Sequence, residues 1–330
     1  MENKDLQAID DAVEKQAEVL VEQEMERQQA DGVFGKETGK TAVLDGASEK
    51  EMASKGASDQ KITQNGNGVS DRTGEKPAMK VKDLYFSYGK NKVLKGVSLQ
   101  IAVGKITTIM GANGCGKSTL FSLMTKNLYP RKGNIFLSGK NIQNLNLKEF
   151  AQQVAIVQQY NTASDDITVE NLVAFGRTPH KKMMQGSSEE DERLIEWAME
   201  VTNLTEYRNR EVSRLSGGQR QRVWIAMALA QNTKILFLDE PTTYLDIRYQ
   251  IEILQLVQKL NREYGITIIM VLHDINQAIT YSDYVIGLKD GQVLVEGDPE
   301  EVITAESIRE LYGIELGVTK VDGRKFVLAV

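Results

Sequence analysis

The 330-residue chain has a single cysteine, no apolar run long enough to cross a bilayer, no charged-then-apolar leader and no internal repeat. Each absence removes a class of protein. A lone thiol, Cys115, closes no internal disulfide, and with the missing leader it points to a reducing interior, the cytoplasm. The longest apolar stretches, Ile266 to Leu272 and Ile235 to Leu238, fall far short of the ~20 residues that a spanning helix needs. A role at a membrane would therefore require docking onto a partner that does the spanning. Charge of one sign is also scarce over most of the chain. The first 76 residues carry 17 Asp or Glu against 10 Lys or Arg, and the remainder is close to neutral. Bulk charge thus directs the protein neither to nucleic acid nor to anionic lipid.

What is present is enough apolar content, 41% of residues, for a substantial core. Residues 1–77 read as an acidic N-terminal extension. Leu6, Ile9, Val13, Leu20 and Val21 recur at three- and four-residue spacings and predict a helix over about 5–29. From about 31 to 77, Gly, Ser, Lys, Asp and Asn dominate, with too few apolar residues to bury anything, so this part is expected to be a disordered linker. Residues 78–330 form a second unit of α/β class, in which short apolar runs alternate with helical patterns, the rhythm of a parallel sheet with helices packed on it. Val93 to Val103 alternates like a half-exposed antiparallel strand, whereas Lys105 to Met110 and Lys234 to Leu238 read as buried central strands. Helical patterning prevails over about 141–230, including Glu189 to Val201 and Gln219 to Ala230, and predicts an inserted helical subdomain.

The strongest chemical signal follows the run 105–110. Gly111, Ala112, Asn113, Gly114, Cys115, Gly116, Lys117, Ser118 and Thr119 make a Walker A phosphate loop between a strand and the helical run Leu120 to Lys126. Glycines let successive backbone N–H groups point at phosphate oxygens, and the helix start adds its positive end. Lys117 is expected to reach the β- and γ-phosphates of ATP, and the Ser118 hydroxyl to hold Mg²⁺. Cys115 reads as a small loop residue rather than a nucleophile. A second signal is the apolar run 235–238 ending in Asp239 and Glu240, as a Walker B element requires. Asp239 would support the metal shell, and Glu240 would take a proton from, or orient, the attacking water. Between the two lies Leu215-Ser216-Gly217-Gly218-Gln219, a small-residue anion site opening a helix.

This pentapeptide, lying between Walker A and Walker B, resembles the signature of ATP-binding cassette (ABC) proteins. The resemblance implies a P-loop fold with a mixed, mainly parallel sheet core, an antiparallel β subdomain and the inserted helical subdomain. It implies further that two copies pair head to tail, each closing its signature on the γ-phosphate held by the other. His273 matches the family's switch histidine, and Gln159 the glutamine that senses Mg²⁺ and joins core to helical subdomain. Tyr88 matches the aromatic that stacks on adenine, and Asp246 the loop communicating between paired sites. The wording Glu170 to Pro179, Gln219 to Ala230 and Glu240 to Ile247 is similar to importers of ferric siderophores, haem and cobalamin, the ferric-chelate branch in particular. That likeness implies an ATPase on the cytoplasmic face of a bacterial membrane, bound to a dimeric polytopic permease and indirectly served by an extracytoplasmic substrate-binding protein, with no nucleic acid partner. Arg177 and Pro179 would touch the permease. Three features depart from the family pattern: Ala112 and Gln158, which stand at common proline positions, and the acidic extension 1–77. Two other classes share the core: a soluble cassette protein acting on nucleic acid, and a degenerate sensor. The first usually carries two cassettes or a coiled-coil insertion, and intact Glu240 and His273 argue against the second.

Overall fold

A computed structural model describes residues 76–164, 166–181, 186–321 and 323–328. They belong to one compact unit running from Gly68 to Val330. The helix expected over about 5–29 and the linker up to residue 75 lie outside the described residues. In chain order the elements begin with β1 (Met79–Tyr88), β2 (Asn91–Ile101), β3 (Ile106–Met110), α1 (Lys117–Met124), β4 (Lys132–Leu137) and β5 (Lys140–Asn141). There follow α2 (Leu147–Ala151), β6 (Val154–Val157), α3 (Val169–Ala174), a 3-10 turn (Phe175–His180), α4 (Glu189–Val201) and α5 (Gly217–Ala230). Next come β7 (Ile235–Leu238), α6 (Ile247–Tyr264), β8 (Thr267–Val271), α7 (Ile275–Tyr281), β9 (Tyr284–Lys289) and β10 (Gln292–Gly297). The chain ends with α8 (Pro299–Val302), α9 (Ala305–Tyr312) and the hairpin β11 (Gly317–Val321) and β12 (Arg324–Leu328).

The central sheet has the order β10-β9-β3-β8-β7-β6, parallel throughout except for β10, which pairs antiparallel with β9. Every residue of β3, β7 and β8 is buried. Strands covered on both faces read as largely apolar runs, which is why β3 and β7 were legible as central strands. Successive residues serve opposite faces. Ile106, Met110, Leu236, Leu238, Ile268 and Met270 join one core with α3 to α7. Ile109, Ile235, Phe237, Ile269 and Val271 join the other, with α1 and the antiparallel sheet β2-β1-β4-β5. The expected half-exposed strand is β2, paired antiparallel with β1 from Tyr88↔Asn91 to Met79↔Ile101.

One strand contradicts the helical reading of 141–230. β6 lies inside the stretch 141–230 read as helical, yet it forms the edge of the central sheet, in register with β7 from Val154↔Ile235 to Val157↔Leu238. A four-residue apolar run has too few residues to show a period, so pattern cannot separate it from a helix turn.

Candidate active site

The parallel strands deliver their C-terminal ends to one edge of the sheet, and the chemical residues follow directly: 111–119 after β3, Gln159 after β6, Asp239 and Glu240 after β7, and His273 after β8. Because β8, β7 and β6 are neighbours in the sheet, His273, Glu240 and Gln159 lie side by side although they are far apart in sequence. Open α/β sheets bind ligands at this edge.

The loop 111–119 is held on both sides. A Cβ on Gly111, which has φ 141°, would stand 2.3 Å from the Leu288 carbonyl oxygen and 2.9 Å from Cys115 Sγ, so the backbone lies too close to β9 for any side chain. On the other flank Leu94 and Val93 of β2 pack beside Gly116. Tyr88 sits on this same β1–β2 hairpin, its ring edge-on to Phe86 with centroids 4.9 Å apart. Lys117 is buried, and its Nζ donates to the carbonyls of Gly111 at 2.8 Å and Ala112 at 3.1 Å. The N-terminus of α1 follows Gly116 with no side chain capping it, which leaves backbone donors for an anion. Burial pushes the Cys115 thiol up despite nearby Lys117, so it stays protonated and poorly nucleophilic.

Glu240 is the most constrained side chain of the site. His273 Nε2 lies 2.5 Å from Oε1, the Gln159 amide nitrogen donates to Oε2, and Thr243 Oγ1 donates to the same oxygen at 3.1 Å. Burial acts to raise the Glu240 pKa, but the His273 hydrogen bond and charge, Thr243 and the field of Lys117 outweigh it, and the carboxyl falls below its ordinary range. Its backbone has φ 48°, a left-handed value uncommon for a residue with a Cβ. Asp239, beside it, donates its backbone N–H to Val157 of β6 at 2.9 Å.

Residues 215–219 open α5. Ser216 Oγ accepts from the Gln219 N–H at 3.3 Å, and Gln219 Oε1 accepts from the Ser216 N–H at 3.0 Å, a reciprocal capping box. Leu215 is buried, whereas Ser216 and Gly217 are exposed. Gly218 is pressed against α6: a Cβ there would lie 2.4 Å from the Tyr249 ring. Asp246 caps α6 through the Tyr249 N–H at 3.0 Å. The site therefore brings together 111–119, Gln159, Glu240 and His273, while Ser216 and Gly217 present themselves outward.

The matching protein-family model is described as ABC transporter and covers residues 94–243. The chain is 45% identical over 238 residues to the iron(3+)-hydroxamate import ATP-binding protein of Bacillus subtilis, covering 72% of this chain and 88% of that one. It is also 45% identical over 233 residues to the ferric enterobactin transport ATP-binding protein of Escherichia coli, with 71% and 86% covered. The chain belongs to the ABC transporter family. Within that family it is an ATP-binding, ATP-hydrolysing subunit. Among solved structures it resembles an inward-facing metal-chelate type ABC transporter, at 26% identity and TM-score 0.67, over 76% of this chain and 96% of that one. A dimeric bacterial ABC transporter cassette matches at 32% identity and TM-score 0.59, covering 67% and 98%. No helix among the described residues is long and apolar enough to cross a membrane.

Sequence reasoning missed two features of this ABC site and misplaced one residue. Thr243 ties Glu240 from within its own turn, its backbone N–H donating to the Glu240 carbonyl at 3.2 Å; its only signal was a hydroxyl three residues after the acid. Tyr160 and Tyr244, following Gln159 and the β7 turn, share a hydroxyl hydrogen bond of 2.7 Å that no local pattern foreshadows. Arg177, expected to touch a permease, is instead 4% exposed. It donates to Asp191 at 2.7 Å and to the Ala230 carbonyl at 2.9 Å, tying the start of α4 to the end of α5.

Proposed function

We propose that this subunit energises import of a ferric siderophore through a polytopic permease dimer, working as a head-to-tail pair on the cytoplasmic face of the membrane. The observation that carries the substrate class is the 43–45% identity, over most of their length, to ATP-binding proteins named for iron(3+)-hydroxamate, petrobactin and ferric enterobactin. The dimeric state of the matched bacterial cassette supports the second copy. Delivery by an extracytoplasmic binding protein follows from the importer reading.

In the mechanism, the amides of 111–119 and Lys117 cradle the ATP phosphates. The cradle fits such a ligand because its backbone admits no Cβ at Gly111 and its helix start keeps uncapped donors. Ser118, Gln159 and Asp239 are the hard oxygen donors that would hold Mg²⁺, which when bound neutralises charge on the transferred phosphoryl group. Tyr88 lies on the hairpin flanking the loop, in the place for an adenine platform. Glu240, ionised and aimed by Gln159, His273 and Thr243, orients the attacking water and accepts its proton, yielding ADP and phosphate. His273 faces the same carboxylate and offers a donor to the γ-phosphate. Ser216 and the Gly217 amide, exposed at the start of α5, close on the phosphates of the second copy, and Asp246 caps the helix packed beneath them. Closure of the pair moves the permease, and hydrolysis reopens it.

Glu240→Gln keeps the shape of the side chain but removes the base. Turnover is expected to fall by roughly 10²–10⁴-fold with ATP binding retained, and the variant should co-purify with a polytopic permease from membranes in Mg·ATP. In cells lacking the gene, the wild-type protein should restore growth on a ferric siderophore as sole iron source, and Glu240→Gln should not. Normal turnover by the variant would overturn the assignment of Glu240. Uptake of another solute, with iron uptake intact, would overturn the substrate.

A further inference from the structure

Glu240 Oε2 takes two side-chain donors from different segments, Gln159 in the loop after β6 and Thr243 in the turn after β7. The residue after each donor is a tyrosine, and the two tyrosines are bonded to each other. Tyr160 and Tyr244 share a hydroxyl hydrogen bond of 2.7 Å, with ring centroids 6.0 Å apart and planes inclined by 42°. Beyond the Asp239 N–H to Val157 carbonyl bond, loop and turn are therefore joined twice, once at the carboxylate and once at the phenols. Burial does not account for the outer joint: Tyr160 is 52% and Tyr244 80% exposed, so neither ring adds much to the core. Backbone preference does not account for it either. Tyr244 has φ 63°, a left-handed value disfavoured for a bulky side chain, and it follows Glu240 at 48° in the same turn. Backbone strain of this kind persists where the surroundings hold it, and it concentrates at functional sites.

We propose that Tyr160 and Tyr244 are positioning residues for ATP hydrolysis, whose hydroxyl bond ties the loop carrying Gln159 to the turn carrying Thr243 so that both donors reach one oxygen of Glu240. The inference rests on reading Glu240 as the base. A carboxylate gripped by two segments keeps one direction toward the attacking water, and a drift of either segment releases a donor and spoils that alignment. The phenols act through Gln159 and Thr243, which makes them positioning groups and not catalytic ones.

The test is ATP turnover by the full chain carrying Tyr160→Phe, Tyr244→Phe or both, since each change breaks the hydroxyl bond and keeps the ring. In either single variant kcat should fall roughly three- to tenfold, the worth of one net hydrogen bond, with the KM for ATP and the thermal midpoint little changed. The double variant should be no slower than the single ones, because a shared bond is lost only once. Tyr160→Phe should likewise add little to the loss caused by Gln159→Ala, the residue through which it acts. Unchanged kcat in both single variants, with Glu240→Gln inactive, would overturn this proposal alone, as would losses that multiply in either double variant. A loss of turnover restored by raising the protein concentration would overturn it too and assign the tyrosines to contact with the second copy. Normal turnover by Glu240→Gln would overturn the reading of Glu240, and this inference with it.

Discussion

Glu240 is held by three side chains from three segments of chain, and the consequence appears in its titration. The His273 contact supplies the largest influence lowering its pKa, while burial alone would raise it. Its folded pKa lies below the ordinary carboxylate value of 4.5, so its contribution to stability is present above that value and is lost as pH falls through the folded pKa. Removing the imidazole with His273→Ala should therefore move the acid limb of the kcat profile to higher pH, measurable as ATP turnover between pH 4 and 7. A limb that stays in place would mean Gln159 and Thr243 suffice. The converse case is Glu296, whose Oε2 is buried without a partner and whose pKa burial raises. Its penalty is absent below pH 4.5 and grows as pH rises through the folded pKa. Glu296→Gln should accordingly stabilise the protein at pH 8 and leave it unchanged at pH 4, as read by denaturant midpoints.

Between elements, the most buried ion pair among the described residues is Arg177 with Asp191, 4% and 9% exposed. Burial opposes ionisation of Asp191, but the Ser188 backbone N–H and the Arg177 guanidinium outweigh it and bring the pKa to about 2. Stability from this group is complete above its ordinary value of 3.8 and disappears as pH falls through about 2. Arg177→Ala would strand a buried carboxylate, at a cost of roughly 3 kcal/mol, visible as a drop in the thermal midpoint that largely vanishes near pH 2. A second joint is Gly218 against Tyr249, where Gly218→Ala should cost about 1–3 kcal/mol by forcing α5 and α6 apart. The phosphate loop, Asp239-Glu240 and 215–219 were legible in the sequence because each is a short local pattern at a strand end or helix start. The ties Tyr160 to Tyr244 and Arg177 to Asp191 were not, since they depend on which side chains the sheet order and helix packing bring together, and the tie of Thr243 to Glu240, although local, depends on the conformation of the turn after β7. Arg177 was misread for the same reason: a charged residue in a loop-like stretch reads as exposed until its partner on α4 is seen.

At the scale of the whole molecule, one sheet is shared by two cores, so neither can melt alone. Phe237 is fully buried on the face toward α1, edge-on to Phe121 with centroids 5.4 Å apart. Met270, equally buried, serves the opposite face. Phe237→Ala should cost about 3–5 kcal/mol and Met270→Ala about 2–5. Both should lower one common unfolding transition in calorimetry rather than split it.

The sheet order also has a consequence for synthesis. β3 is flanked by β8 and β9, in register from Ile106↔Ile268 and Thr107↔Tyr284, so both of its neighbours lie about 160–180 residues further along the chain. At ~5–20 residues per second the ribosome needs roughly 8–35 seconds to make them. For that interval the strand leading into the phosphate loop has emerged with both edges unpaired and with both of the faces that folding will bury uncovered. The nascent chain therefore spends its most aggregation-prone period holding its most chemically important segment, and a chaperone that shelters the first half should raise the yield of active protein more than one that acts after release.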